Sequence, residues 1–517
     1  MGALEAQLFA SGLPVEALME KAALAVSRRI LEGAGGSLSS GVLVLVGPGH
    51  NGGDGLVVAR ELHLAGVSVG LWCPFERRKP LTERHWQHAR WLGLPVRAEA
   101  PDPSDPALWI DALFGNGQTR PPGELLEGLL GDRERAAGPL LAIDVPTGLC
   151  SDTGRLLGRQ AARADLTLCI GLWKQGLVQD GALRWVGKLE RVDLGLPARL
   201  LAELPPEQPL GLGGPGQGRL DAEEAPRPRI DPAAGKYDRG RLLVIAGSDS
   251  YRGAAHLALA GATASGVGSL RAVVPPQVAS QLWMVLPHVV LEERPLGEGG
   301  GLERLDAVLV GPGLGPAPAD AGDGGNREPW WPALQAFGGL LVVDADGLNR
   351  IHPAWLRDRA GPTWITPHAG EFGRLWPALQ ALPPLEAAAE AARLSGACVL
   401  LKGARSVIAA ADGRRWQLME ACGEAARAGL GDGLAGYAAG LGARLGAPAG
   451  GLPDAGGLAV AALDHALAGC HAAQALGPGG ATPLAVTESL AHNRRRCDAR
   501  ESGQRGEWSV PRITERR

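Results

Sequence analysis

The 517-residue sequence has few aromatic residues, few cysteines and no large excess of charge of either sign. Its seven cysteines are scattered and form no C-x-x-C pair, which argues against a disulfide framework and a zinc site. A net charge of −4 provides no basic surface for nucleic acid. No apolar run reaches the roughly 20 residues of a membrane span, and the N-terminus lacks a secretory pattern. We therefore expect a cytoplasmic protein that binds neither nucleic acid nor membranes.

Glycine, in contrast, is abundant at 77 residues, and hydrophobic residues make up 45% of a chain that is 21% charged. This composition is typical of a globular protein. Along the first 205 residues, short apolar runs alternate with helical patterns. Most runs lack polar alternation, which is typical of parallel strands covered on both faces. The pattern predicts a Rossmann-like doubly wound sheet, whose ligands lie beyond the carboxyl ends of the strands. The predicted strands are 41–47, 67–73, 107–115, 139–148 and 164–171.

A stretch rich in proline, glycine and charge separates this region from a second alternating one. We predict a first domain at 1–205, a linker at 206–235, a second, larger α/β domain at 236–490 and a loose tail at 491–517. Two large domains agree with the length of the chain.

The glycine-rich turn after the first predicted strand reads VGPGHNGGDG at 46–55 and contains G-x-G-x-x-G. With a strand before it and a helix after it, such a turn lets amide N–H groups approach an anion. No Lys-Ser/Thr pair follows, so the turn is not a P-loop. A phosphate cradle does not explain His50, Asn51 and Asp54. Taken singly, Asp54 is more often a helix N-cap than a catalyst.

Two further carboxylates stand where strands give way to loops, Asp111 in IDALFGNG and Asp144 in IDVPTG. Carboxyl ends of parallel strands share one edge, so these groups are expected beside the glycine-rich turn. Converging carboxylates form a candidate site for a cation or for proton transfer. Asn51, Asp111 and Thr147 together offer oxygen ligands suited to a hard cation.

In the second domain, GLGDGLAGYAAGLGA places Gly431 and Asp432 at the start of a helix. An aspartate there can accept the proton of a hydroxyl that attacks a phosphoryl group, although alone it would be read as an N-cap. His368, beside Glu371, is a candidate substrate contact, and Lys402 is either a solvated lysine or a phosphate ligand. Four motifs follow apolar strands on the same edge: GPGLG, DADGLN, TPHAGEF and LKGARS.

GPGHNGGDG, IDALFGNG and IDVPTG, preceded by ALMEKAA, resemble the epimerase domain of the NAD(P)H-hydrate repair enzymes over residues 1–205. The resemblance implies a potassium ion held by Asn51, Asp111 and Thr147, with Asp144 as acid/base. His50 stands where the family usually has Asn, and Thr147 where it has Ser, which preserves the hydroxyl oxygen. The residues implied to bind the hydrated nucleotide are His50, Asn51, Gly52, Gly53, Asp54, Gly115, Asn116, Gly117, Gln118, Thr119, Arg120, Pro121 and Asp144.

Residues 216–490 resemble the ribokinase-like dehydratase half of the same enzymes. The resemblance implies that ADP, with Mg²⁺, phosphorylates the hydroxyl of the S hydrate, that Asp432 is the base, and that loss of phosphate restores NAD(P)H. The implied substrate contacts are Ala254, Gly313, His368 and Asp432. The implied nucleotide contacts are Lys402, Gly403, Ala404, Arg405, Ser406 and Gly431. The chain departs from the family at Arg427 and Ala428, before Asp432, which leaves the choice between ADP and ATP open.

These patterns favour a bifunctional repair enzyme acting on the hydrates NADHX and NADPHX, and we expect a homo-oligomer. One alternative is a ribokinase-like small-molecule kinase with an appended nucleotide-binding domain. In such a kinase the set Asn51, Asp111 and Asp144 would have no role. A second alternative treats the first domain as a scaffold, which would not require buried charge at strand ends.

Overall fold

The computed structural model describes residues 1–33, 38–203, 210–212, 233–292, 301–316, 330–447, 453, 455–477 and 479–491. Contacts divide the chain into two compact units, Met1–Pro205 and Pro206–Arg517. Each unit contains one β-sheet with helices, so the predicted α/β class is confirmed. Most of the predicted linker, and the predicted tail from residue 492 onward, lie outside the described residues.

The first unit contains seven strands, all paired in parallel. They are β1 Val42–Val46, β2 Val69–Trp72, β3 Val96–Arg97, β4 Leu108–Ala112, β5 Leu140–Ile143, β6 Leu166–Ile170 and β7 Lys188–Val192. Their order is β3-β2-β1-β4-β5-β6-β7, the doubly wound arrangement that was predicted. The order reverses between β1 and β4, and the crevice outside such a switch point is where ligands bind in these sheets.

Strand β1 shows why polar alternation is missing from these runs. Val42, Val44 and Val46 pack into one hydrophobic cluster. Leu43 and Leu45 pack into a different cluster, because successive side chains point to opposite faces of the sheet. Both faces are covered by helices, so all five residues are buried.

The first unit has seven α-helices among its described residues, and short 3-10 helices at Gln175–Val178 and Asp180–Ala182. Helix α2 is amphipathic and buries one face that includes Leu18, Ala22 and Val26. The helices are α1 Gly2–Ala10, α2 Val15–Gly33, α3 His50–Leu64, α4 Pro80–Trp91, α5 Glu124–Arg135, α6 Leu183–Val186 and α7 Ala198–Ala202.

The second unit contains a ten-stranded sheet. Its strands are β8 Leu210–Leu212, β9 Arg241–Ile245, β10 Ser269–Val273, β11 Val290–Leu291, β12 Ala307–Val310, β13 Leu340–Val343, β14 Thr363–Ile365, β15 Cys398–Leu401, β16 Val407–Ala409 and β17 Arg415–Leu418. The order is β11-β10-β9-β12-β13-β14-β15-β16-β17-β8. All pairs are parallel except β15–β16 and β16–β17. Strand β8 falls inside the segment predicted as linker and pairs with β17.

Helices cover this sheet, and the closest pair depends on small residues. A Cβ on Gly436 would lie 1.9 Å from the carbonyl oxygen of Ala258, and one on Gly261 would lie 2.1 Å from that of Gly433. The helices are α8 Arg252–Ala264, α9 Pro276–Val285, α10 Trp331–Ala336, α11 Pro353–Arg357, α12 Ala369–Leu375, α13 Pro384–Ser395, α14 Leu430–Gly446 and α15 Ala455–Leu476. The 3-10 helices are Ala345–Arg350, Pro377–Leu379 and Gly423–Ala425.

Candidate active sites

The glycine-rich turn of the first unit packs directly against the chain that leaves β4. A Cβ on Gly47 would lie 1.6 Å from the carbonyl oxygen of Leu113, and one on Gly52 would lie 2.0 Å from that of Gly47. Only glycine allows this approach. It brings the start of α3, with Asn51 and Asp54, beside the loop that begins at Leu113.

A cleft with a volume of about 330 Å³ lies at this edge of the sheet. Eight of the predicted substrate residues line it: His50, Asn51, Asp54, Gly115, Asn116, Gly117, Gln118 and Asp144. Gly52 and Gly53 are instead buried beneath it, where a Cβ on Gly53 would meet the Met19 side chain at 2.7 Å. Thr119, Arg120 and Pro121 continue the loop beyond the lining residues. Helices α1 and α2 complete the wall with Glu5, Phe9 and Met19, among others.

Asp144 lies at the centre of the cleft wall, directly after β5, with a positive φ of 69°. Its Oδ2 accepts from the backbone N–H of Asn116 at 2.8 Å, and its Oδ1 accepts from that of Ile170 at 3.2 Å. A Cβ on Gly115 would lie 3.0 Å from Oδ2, so the glycine keeps that side of the carboxylate open. The carboxylate is therefore held in one orientation at the cleft.

Lys174, which the sequence reasoning missed, is the ionic partner of Asp144. Its Nζ contacts Asp144 Oδ1 and donates to the carbonyl oxygen of Ile170 at 2.5 Å. Burial is the strongest single influence and acts to lower the pKa of Lys174, but the charge and hydrogen bond of Asp144, together with other nearby groups, raise it. The available signal was its position shortly after a strand that ends on the same edge of the sheet.

Burial, and then the charge of Asp144, raise the pKa of Asp54 well above its usual range. The raised pKa favours the protonated form of the Asp54 carboxyl, and the raised pKa of Lys174 favours its positively charged form. Burial and the nearby Lys79 lower the pKa of His50, which favours a neutral imidazole there. The cleft thus contains a proton donor as well as an acceptor.

The three residues predicted to hold potassium lie along the same edge. Thr147 donates through its backbone N–H to Asp111 Oδ2 and through its hydroxyl to Asp111 Oδ1, both at 2.8 Å. Burial raises the pKa of Asp111 to about 6. Asn51 has its Oδ1 3.1 Å from a Cβ built on Gly115, and its buried Nδ2 has no hydrogen-bond partner among the described residues.

In the second unit, Asp432 lies in the first turn of α14, as predicted for a helix start. Burial and the charge of Asp344 raise the pKa of Asp432 to about 7, and Lys402 acts in the opposite direction. Gly431 is adjacent, and a Cβ there would lie 3.2 Å from Lys402 Nζ. A carboxyl with a pKa near neutrality is suited to general base catalysis.

Lys402 is largely buried, and its ammonium group is surrounded by carboxylates. Its Nζ donates to Asp344 Oδ1 at 2.7 Å, and Thr366 Oγ1 donates to the same oxygen at 2.8 Å. Glu371 Oε2 is 4.0 Å from Nζ. Burial acts to lower the pKa of Lys402, but the charges of Asp344, Glu371 and Asp432 raise it. The sequence motifs had not singled out Asp344 as the partner of this lysine.

The other predicted contacts lie on neighbouring loops. Gly313, at φ 65°, would place a Cβ 2.6 Å from that of Ala254, so these two residues adjoin. His368 caps α12, because its Nδ1 accepts from Gly370 N–H at 3.0 Å. Gly403, Ala404 and Arg405 form the turn between β15 and β16, where Gly403 N–H and the Ser406 hydroxyl are 3.4 Å apart.

The described residues contain no group of three or more His, Cys, Asp or Glu side chains placed to hold a metal ion. Among the helices of these same residues, none combines the length and apolar character needed to cross a membrane.

Comparisons with known proteins match each of the two units to a family. Residues 15–176 match the family model described as YjeF-related protein N-terminus, and residues 242–491 match that of NAD(P)H-hydrate dehydratase. A bifunctional NAD(P)H-hydrate repair enzyme of Gloeobacter violaceus is 42% identical over 84% of this chain and 85% of its own length. One of Synechocystis is 40% identical over 85% and 84%.

A crystal structure of the ADP/ATP-dependent NAD(P)H-hydrate dehydratase of Bacillus subtilis, crystallised with ATP and Mg²⁺, covers 54% of this chain and 97% of its own. It is 26% identical, with a TM-score of 0.46. Fold and sites define a two-domain α/β enzyme, with a Rossmann-like first domain and a ribokinase-like second domain. The chain belongs to the family of bifunctional NAD(P)H-hydrate repair enzymes.

Proposed function

We propose that this enzyme repairs hydrated NADH and NADPH in two steps carried by one chain. The first domain interconverts the R and S hydrates. The second removes water from the S hydrate at the expense of ADP and restores NAD(P)H. The observation that carries the proposal is that each domain pairs an aspartate at a strand edge or helix start with a lysine that acts on it: Lys174 contacts Asp144, and Lys402 acts electrostatically on Asp432.

In the first domain we assign Asp144 as the acid/base. It takes the hydroxyl proton as the bond between the hydroxyl-bearing carbon and the ring nitrogen breaks to leave a carbonyl, and it returns the proton when the nitrogen adds to the opposite face of that carbonyl. Asn116, Gly117 and Gln118 line the cleft and are assigned to hold the hydrated nucleotide. The remaining predicted contacts, Thr119, Arg120 and Pro121, would extend this loop along the substrate.

Asn51, Asp111 and Thr147 would hold a potassium ion. They offer an amide oxygen, one carboxylate and a hydroxyl, and such a set, with one full negative charge, suits a large monovalent cation better than Mg²⁺. Oδ1 of Asn51 would bind the ion, whereas its buried Nδ2, a donor unpaired among the described residues, supports a hydrogen-bond acceptor of the substrate on that side. The ion would supply positive charge beside the cleft.

In the second domain Asp432 is the base that takes the hydroxyl proton of the S hydrate as the hydroxyl attacks the terminal phosphate of ADP and AMP leaves. Loss of the new phosphate, together with a proton from the neighbouring ring carbon, then restores NAD(P)H. Ala254, Gly313 and His368 are assigned to the hydrate. The turn 402–406 and the amide of Gly431 are assigned to the nucleotide, because a helix start attracts phosphate. Mg²⁺ bound with the nucleotide would neutralise phosphate charge. Assembly as a homo-oligomer stays a prediction.

The test is an assay of the intact chain with pure S hydrate, Mg²⁺ and either ADP or ATP, following the dihydronicotinamide absorbance. The proposal expects the absorbance to return with ADP and not without a nucleotide. Absence of any nucleotide-dependent return, in protein that binds ADP, would contradict the assignment of the second domain. A higher rate with ATP would correct only the choice of nucleotide.

A further inference from the structure

Lys174 is the least accessible lysine in either site, with only 6% of its side chain exposed. It follows β6, at the carboxyl edge of the first sheet, and it lines the same cleft as Asp144. Its Nζ reaches Asp144 Oδ1 and the Ile170 carbonyl, which accounts for two of the three N–H donors of the ammonium group.

A buried lysine is costly unless it is paired and hydrogen-bonded, because removing an ammonium group from water is unfavourable. In the first domain the ammonium group of Lys174 is buried in this way, and its ion pair with Asp144 compensates for the lost hydration. Three further groups act electrostatically on Lys174: Cys169, Glu5 and, through its own shift, Asp54. Of Asp144 and these three groups, only Asp144 lies in hydrogen-bond contact with Nζ among the described residues.

The backbone also shows that Asp144 has to be held. Its φ of 69° lies in the left-handed region, which non-glycine residues adopt only when surrounding contacts stabilise it. The N–H of Asp144 donates to Leu168 at 2.9 Å, and the carboxylate is fixed by Asn116 N–H, Ile170 N–H and Lys174. Lys174 is the only charged member of this set.

We propose that Lys174 is the positioning residue of the epimerase reaction. It binds Oδ1 of Asp144 and thereby presents Oδ2, the oxygen beside Gly115, to the substrate. Its charge also offsets the negative charge of Asp144 close to the anionic nucleotide. This inference rests on the proposed epimerase function of the first domain, and it assigns to Lys174 a role in turnover and not in nucleotide binding.

The experiment compares Lys174→Met with Lys174→Arg, using interconversion of the R and S hydrates. If Lys174 acts through Asp144, Lys174→Met should lower kcat by about a hundredfold while KM changes by less than about threefold. Lys174→Arg should recover most of kcat, because arginine retains the charge and the donors. A rise in KM at unchanged kcat would overturn the proposal, since it would make Lys174 a substrate ligand.

Two controls separate this result from other failures. Lys188→Met removes a lysine of the same domain that pairs with Glu190 on the surface, with 70% of its side chain exposed, and should leave epimerisation unchanged. Dehydration of pure S hydrate, measured on the same Lys174 samples, should stay at the wild-type rate. A wild-type chain that dehydrates but does not epimerise would contradict the proposed function itself.

The methionine variant leaves Asp144 as a buried, unpaired charge, so it could unfold the first domain. The double variant Asp144→Asn, Lys174→Met removes both charges and should regain the Tm that either single variant loses. It should remain inactive as an epimerase. A Lys174→Arg variant that folds normally but is as inactive as Lys174→Met would overturn the proposal, as would a Lys174→Met variant with wild-type kcat.

Discussion

Thr147 donates two hydrogen bonds to Asp111, from its backbone N–H to Oδ2 and from its hydroxyl to Oδ1, and both are 2.8 Å long. Asp111 lies near the end of β4, and Thr147 follows β5. The contact therefore joins the carboxyl ends of neighbouring parallel strands. Thr147 Oγ1 also accepts from Phe114 N–H at 3.2 Å. This hydroxyl therefore ties the loop after β5 to the end of β4 and to the loop that follows it, and these segments carry two of the three residues proposed to hold potassium.

The hydroxyl of Thr147 is expected to be needed for the potassium dependence of epimerisation. Thr147→Val keeps the shape of the side chain but removes the oxygen, whereas Thr147→Ser keeps it. We expect the valine variant to lose most of the difference between rates in potassium and in choline buffer, and the serine variant to retain it. Equal potassium dependence in both variants would remove Thr147 from the ion site.

Removal of the Asp111 carboxylate tests the proposed potassium site more strongly than the Thr147 variants do. Asp111→Ala should abolish both the potassium dependence and most of the epimerase activity, because it removes the single full negative charge of the proposed ligand set. Dehydration of pure S hydrate is the internal control for folding of the second domain. Epimerisation that ignores the monovalent cation already in the wild-type chain would make Asp111 only a strand-end carboxylate.

The pH dependence of dehydration should follow Asp432. Its pKa is raised to about 7, so the fraction of deprotonated base increases as the pH rises through that value. We expect kcat for dehydration to increase across this range, and Asp432→Asn to lower it by about a hundredfold or more. The matched control is Asp412→Asn, in the exposed turn between β16 and β17, where the aspartate pairs with Arg414.

Ionisation of Asp432 should lower the stability of the second domain, although it increases the rate of dehydration. The pKa of Asp432 is higher in the folded chain than the usual aspartate value, so the folded state loses stability as the pH rises from about 4 to about 7. Asp432→Asn removes this ionisation and should therefore raise the Tm of the second domain relative to wild type at alkaline pH. A lower Tm at alkaline pH would mean that the aspartate is needed as a structural cap of α14.

Close packing of α8 against α14 is expected to depend on glycine. Gly436→Ala would force a Cβ to 1.9 Å from the Ala258 carbonyl and should destabilise the second domain by about 1–3 kcal/mol or more. Gly253→Ala, on α8, meets no atom within 4 Å and should change stability by less than about 1 kcal/mol. Urea unfolding of both variants measures the difference, and equal midpoints would contradict the packing account.

Much of the first site could be predicted because it depends on strand ends. Asp111, Asp144 and the glycine-rich turn follow apolar runs, and parallel strands deliver such positions to one edge. The partner of Asp144 could not be predicted in this way. Lys174 lies 30 residues further along the chain, and its side chain becomes a partner only through the pairing of β5 with β6.

The second site shows the same limit. Asp432 was identified from its helix start, but its raised pKa depends on its burial and on the charge of Asp344, which follows β13, far away in the sequence. His368 was expected to contact the substrate, and its Nδ1 is engaged as the cap of α12. Strand β8 was assigned to the linker because three residues among prolines and glycines carry too little periodicity to be recognised.

The division of labour between the two domains predicts that their activities can be removed separately. Asp144→Asn should abolish interconversion of the hydrates and leave dehydration of pure S hydrate at the wild-type rate. The two units have separate hydrophobic clusters, which supports independent sites. Loss of both activities in a variant with an unchanged Tm would show that the sites are coupled.

The most direct test of the account uses pure R hydrate as the only dihydronicotinamide source, with the purified chain, ADP, Mg²⁺ and potassium. The second domain is expected to act on the S form alone, so the absorbance of the dihydronicotinamide returns only if the first domain converts R to S. We predict complete return with the wild-type chain and none with Asp144→Asn. A wild-type chain that restores the absorbance from S hydrate but never from R hydrate would contradict the bifunctional assignment.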